Sequence, residues 1–134
     1  MKDDRYQLPP RQTLRFILLP MVATFFGLRL YLHNVRVQHV YPGGYLVHHL
    51  FTGALIVILA AFVLAFGTRR RQTAIATHAA LGIGSAMVLD EVVYLIATQA
   101  SDADYVSHLS LYGGGVFMTL GVILLFALYH RRQG

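Results

Sequence analysis

Four apolar runs of about twenty residues each, at 14–32, 45–67, 74–98 and 108–129, occupy most of the chain. A helix rising about 1.5 Å per residue needs roughly 20 such residues to cross about 30 Å of hydrocarbon. Each run is long enough to do so. In 134 residues they leave no room for a second domain, so the chain reads as a single transmembrane domain over 1–134. Composition agrees. Apolar residues make up 56% and charged residues only 13% of the chain, where a soluble protein carries about 25% charged. A soluble domain of this size could not hide that much apolar surface, and the mean hydropathy of +0.55 points the same way.

The connections are short. Residues 33–44 hold the turn-forming Pro42, Gly43 and Gly44, residues 68–73 hold Arg69, Arg70 and Arg71, and residues 99–107 hold Asp102 and Asp104. Short links make successive helices antiparallel, so the expected fold is all-α, an antiparallel integral membrane four-helix bundle. Lys2, Arg5, Arg11, Arg15, Arg69, Arg70, Arg71, Arg131 and Arg132 all fall at one end of that bundle. Basic residues are retained on the cytoplasmic side, which predicts that both termini are cytoplasmic. The first run is longer than a secretory apolar core and lacks a clear cleavage site, so it is expected to remain as a span. The net charge of +5 comes from these short clusters rather than from one basic face, which excludes nucleic acid as the partner. There is no cysteine, which excludes disulfides, thiolate metal sites and cysteine nucleophiles.

Ionisable groups inside hydrocarbon each cost about 2.5–3.5 kcal/mol at the centre of a span, so those that persist there mark a site. Converting position to depth places them together. Arg29 and His33 fall in the last turn of the first helix, and His48 and His49 near the start of the second. Asp90 and Glu91 lie roughly 25 Å along the third from Ala74, and His108 opens the fourth with Tyr112 one turn on. All lie in the layer opposite the basic clusters. On the third helix Asp90 is opposite an arc of Leu81, Val88, Val92 and Leu95 and shares a stripe with Ala79, Gly82, Ala86 and Ala97, with Tyr94 and Glu91 beside it. His108, Tyr112, Gly115 and Thr119 form a stripe on the fourth, expected to face it.

Imidazoles and carboxylates converging in a partly dry site suit a divalent metal ion: zinc first, with iron and manganese as alternatives. The expected ligands are His48, His49, Asp90, Glu91 and His108, with Arg29, Tyr94 and Tyr112 as further polar members. One of the adjacent histidines is expected to ligate and the other to support it. Competing readings are a structural ion pair between Arg29 and Asp90 or Glu91, a haem held by two histidines, and an interfacial role for most of the tyrosines. His33, His39 and His130 read as interfacial. His78, at the basic end, reads as facing water or headgroups.

The stretch His48-His49-Leu50-Phe51-x-Gly53, followed by Gly82-Ile83-Gly84 and Leu89-Asp90-Glu91, resembles a group of small bacterial integral membrane proteins whose spans carry similar paired HH and GIG…LDE motifs. It covers roughly the middle half of the chain. The resemblance implies a multi-pass protein of the bacterial inner membrane, singles out His48, His49, Asp90 and Glu91, and implies no activity.

The function expected from these observations is a divalent-metal site near the extracytoplasmic face. It would belong to a metal-binding accessory protein or to a metalloenzyme acting on a lipid-soluble or headgroup substrate. In a hydrolytic enzyme the metal would acidify a bound water and Glu91 would be the catalytic base. Membrane lipids are the expected partners, and the reading leaves room for a homo-oligomer. The alternatives are a proton- or ion-coupled transport protein, in which Asp90 and Glu91 change protonation, and a structural subunit.

Overall fold

The computed structural model describes residues 6–34, 48–67, 70–99 and 102–133. Expectations that rest on Lys2, Arg5, His39, Pro42 to Tyr45 and Arg69 lie outside them. The described residues are helical with no strand: α1 Pro10–Asn34, α2 His49–Phe66, α3 Arg71–Ala97, the single turn α4 Asp102–Tyr105 and α5 His108–Arg131. α1, α2, α3 and α5 are each long and apolar enough to cross a membrane. α1 and α5 extend past their apolar runs by up to a turn, α3 starts three residues before its run and ends one short of it, and the described part of α2 lies inside its run. α4 was not anticipated, because its Asp-Ala-Asp-Tyr sequence has no apolar periodicity.

Local sequence accounts for several ends. Ser107 caps α5 by accepting the Ser110 amide at 3.3 Å. Gly67 closes α2 with φ at 81°, a left-handed conformation that costs a side-chain-bearing residue energy. α1 contains Pro20, which lacks the amide proton for an intrahelical bond, yet the helix continues through it as membrane helices often do.

α3 is the central helix. It packs against α1, α2 and α5, α1 also touches α5, and among the described residues the backbone of α2 lies close to that of α3 alone, while its His49 ring reaches Tyr105 of α4. Small residues on different faces of α3 explain why it takes that place. A β-carbon at Gly82 would lie 2.2 Å from the Ile17 carbonyl oxygen of α1, and one at Gly84 would lie 2.7 Å from the Gly53 carbonyl oxygen of α2. Backbones can approach this closely only where side chains are missing, and between membrane helices such packing replaces the hydrophobic drive. The pairs Ile17 with Gly82 and Arg29 with Asp90 run in the same direction along α1 and α3, whereas Gly53 with Gly84 and His48 with Glu91 run oppositely along α2 and α3. Gly113 with Val93 and Gly121 with Leu89 also run oppositely, so the four long helices alternate in direction along the chain. Met21, Phe25, Ala86 and Met118 form the buried apolar core between α1, α3 and α5. Across the outside, Phe51, Leu55 and Phe62 of α2 and Leu120 and Leu124 of α5 are exposed, the surface expected of helices solvated by hydrocarbon.

Candidate functional site

The carboxylates Asp90 and Glu91 are consecutive on α3, so their side chains leave it about 100° apart and meet different neighbours. Asp90 has 0% exposure and turns to α1, α4 and α5, while Glu91, at 3%, turns to α2. That single step divides the polar cluster into two halves.

The Asp90 half is built around Arg29. The guanidinium Nε donates to Asp90 Oδ1 at 2.5 Å. Nη1 donates to the Tyr105 carbonyl at 3.0 Å and Ser110 Oγ at 3.2 Å, and Nη2 to the carbonyls of Asp90 at 3.1 Å and Ser110 at 3.0 Å. A guanidinium has five N–H donors, and all five are used. The Tyr105 hydroxyl donates to Asp90 Oδ2, and its ring stacks 4.5 Å from the guanidinium carbon. Burial first, and the adjacent Asp90 carboxylate second, push the Tyr105 phenol far above its ordinary range, so it remains a proton donor. Room for this unit comes from Gly114, where a β-carbon would lie 2.8 Å from Arg29 Nη2 and 3.0 Å from the Asp90 carbonyl oxygen.

The Glu91 half joins α2. His48 is the N-cap residue of that helix, in extended conformation, and its side chain makes no capping bond. The cap comes from another helix: Glu91 Oε2 accepts the Leu50 amide at 2.7 Å. The carboxylate satisfies an amide that α2 cannot pair internally, and sits at the positive end of the helix dipole. Its other oxygen, Oε1, lies 3.3 Å from Nδ1 of both His48 and His49. His49 Nε2 is in turn 3.3 Å from Asp90 Oδ2, so one imidazole spans the two carboxylates. Tyr94 is buried among these rings, with centroids 5.8 Å from His48 and 5.3 Å from Tyr105. Among the described residues, no group of three or more His, Cys, Asp or Glu side chains is arranged to hold a metal ion as it stands.

The structure thus brings together Arg29, His48, His49, Asp90, Glu91 and Tyr94. It does not bring in His108 or Tyr112. Those two stack on one another at 5.9 Å on the outer face of α5, where Tyr112 is 68% exposed. The expected inward stripe of α5 is rotated away, and Ser110, Gly114 and Met118 take the inner positions instead. The physical reason is that helices in hydrocarbon approach through their small residues, while His and Tyr near an end sit well at the headgroup boundary. Ser110 and Gly114 were missed for the same reason, and Tyr105, one of the tyrosines read as interfacial, is buried because α4 turns its hydroxyl onto Asp90. The available signal was the spacing of the small residues Ser110, Gly114 and Gly121, a stripe in competition with the His108 stripe.

Fold and site together define a small all-helical protein with four candidate membrane spans and a buried Arg, His and carboxylate cluster at one end. No protein-family model, curated protein or solved structure matches the chain.

Proposed function

We propose that this is a multi-pass protein of the bacterial inner membrane, with both termini cytoplasmic, whose extracytoplasmic end binds one divalent metal ion, zinc before iron or manganese. His48, His49 and Glu91 are the ligands. The observation that carries the reading is that both Nδ1 atoms lie 3.3 Å from one carboxylate oxygen, Glu91 Oε1. That spacing is long for a charge-assisted hydrogen bond, about 2.7–2.9 Å. Zinc–ligand bonds of roughly 2.0–2.1 Å at tetrahedral angles separate neighbouring ligands by about 3.3–3.4 Å. The surroundings support it further. Glu91 is oriented by the Leu50 amide, and His49 offers its second nitrogen to Asp90, the carboxylate–imidazole pairing that usually fixes a metal-ligating histidine. Metal binding would require the two imidazoles to shift, since among the described residues no three such side chains hold a metal as they stand. Asp90 is committed to Arg29 and Tyr105, so it orients rather than ligates, and His108 stands outside the set. Glu91, with one oxygen held by an amide and the other facing two rings, suits a ligand better than the catalytic base.

Titration of purified protein with zinc tests this. Wild type and His108→Ala take up one equivalent, whereas His49→Ala and Glu91→Gln lose most of the affinity, and uptake falls on acidification as protons compete for the ligands. Metal uptake that is absent, or equal in all four proteins, overturns it.

A second reading has its own observation: His49 faces a carboxylate from each ring nitrogen. A doubly protonated His49 would balance Glu91 as Arg29 balances Asp90, making the cluster a proton-holding site of the kind used in ion-coupled transport. Nitrogen NMR of metal-free protein showing both His49 nitrogens protonated, together with no metal uptake, selects it.

A further inference from the structure

The opposite end of the bundle carries a different feature. Between the start of α1, the end of α2, the start of α3 and the end of α5 lies a cleft of two lobes. The larger, about 370 Å³, is walled chiefly by Leu14, Ile17, Leu81, Leu125 and Leu128. The smaller, about 220 Å³, is lined by more polar groups, among them Tyr6, Gln7 and Thr13. Thr13, Leu64, His78 and Arg132 line both, so the lobes adjoin, and Arg131 stands at the larger.

The described residues that line the cleft include Arg131, Arg132 and His78 and no acid. Among the described residues Arg11, Arg15, Arg70, Arg71, Arg131 and Arg132 gather here, while the acids Asp90, Glu91, Asp102 and Asp104 all belong to the other end. The ion pairs of the described residues are likewise confined to that other end. His78 adds a directed group. Its Nδ1 donates to the Ala74 carbonyl at 2.6 Å, so in the neutral ring Nε2 is the nitrogen left to accept a proton from a ligand.

We propose that this cleft binds one anionic phospholipid. An acyl chain lies in the leucine-walled lobe, the phosphate meets Arg131 and Arg132 at the boundary, and the headgroup occupies the polar lobe beside His78. An apolar slot joined to a polar one, with cations where they meet, has the layout of an amphiphile with a negative headgroup. A wholly apolar ligand would leave the polar lobe and the arginines without partners. Basic pockets between membrane helices take anionic headgroups in this way, and a phosphate is well matched to a guanidinium.

Native mass spectrometry of the full chain in a neutral detergent, titrated separately with phosphatidylglycerol and phosphatidylcholine, tests the proposal. The first phosphatidylglycerol binds at least about tenfold more tightly than phosphatidylcholine, a difference of roughly 1.4 kcal/mol. Arg131→Gln with Arg132→Gln abolishes that preference. Arg11→Gln with Arg15→Gln removes the same charge from the same end but outside the cleft lining, and leaves it intact. Leu128→Trp, which fills the apolar lobe from a half-exposed position, weakens phosphatidylglycerol binding with every arginine present. Equal binding of the two lipids overturns the proposal. So does an equal effect of the two arginine pairs, or saturation of the cleft by glycerol phosphate without an acyl chain, which would make the ligand a soluble anion.

Discussion

Arg29 and Asp90 form a buried ion pair in which every guanidinium proton and both carboxylate oxygens are engaged. Such a pair is not strongly stabilising in itself, because desolvation of two charges offsets their attraction, but removing one partner strands the other. Arg29→Gln and Asp90→Asn are each expected to lose about 3–5 kcal/mol of stability, while the double variant loses clearly less than their sum. Reversible unfolding in mixed micelles measures all three. Near-neutral single variants would show that water reaches the pair. Arg29, Tyr105 and Asp90 link α1, α4 and α3, so this half of the cluster holds the helix ends in place around the histidines.

At the scale of helices, glycine positions decide which surfaces meet. Gly84→Ala drives a β-carbon into the backbone of Gly53, so α2 and α3 must separate, at about 1–3 kcal/mol. Gly115 has nothing within 4 Å of its would-be β-carbon, so Gly115→Ala is expected to be neutral or stabilising by less than about 1 kcal/mol. The same unfolding assay ranks them, and equal effects would place α5 in the orientation that puts Gly115, and with it His108, inward. α2 depends most on such contacts. Among the described residues its backbone lies close to that of α3 alone, through the Gly53–Gly84 approach and the Glu91 cap. Glu91 therefore both receives the imidazoles and holds the start of the helix that carries them.

For the whole molecule, the basic residues at one end predict the orientation in the membrane. The absence of native cysteine makes the test direct. In intact cells, a cysteine at Asp102 should react with an impermeant thiol reagent and one at Arg70 should not. Reversed labelling would put the His and carboxylate cluster on the cytoplasmic side and the lipid cleft outside. The two features lie at opposite ends, so lipid and metal binding should be separable: Glu91→Gln should leave the lipid preference intact.

The number and order of helices long and apolar enough to cross a membrane, and the shared end of Arg29, His48, His49, Asp90 and Glu91, were legible from residue order. They depend on length, hydropathy and rise per residue, which act along one dimension. Which way each helix faces was not legible, because rotation is set by contact between helices. The periodicity of α5 offered two polar or small-residue stripes, and packing selected the one with Ser110 and Gly114, leaving His108 and Tyr112 outside. The division of labour between Asp90 and Glu91 was hidden for the same reason. Two adjacent carboxylates are equivalent in a sequence, and they differ here because the 100° between them points one at the guanidinium of α1 and the other at the unpaired amide and imidazoles of α2.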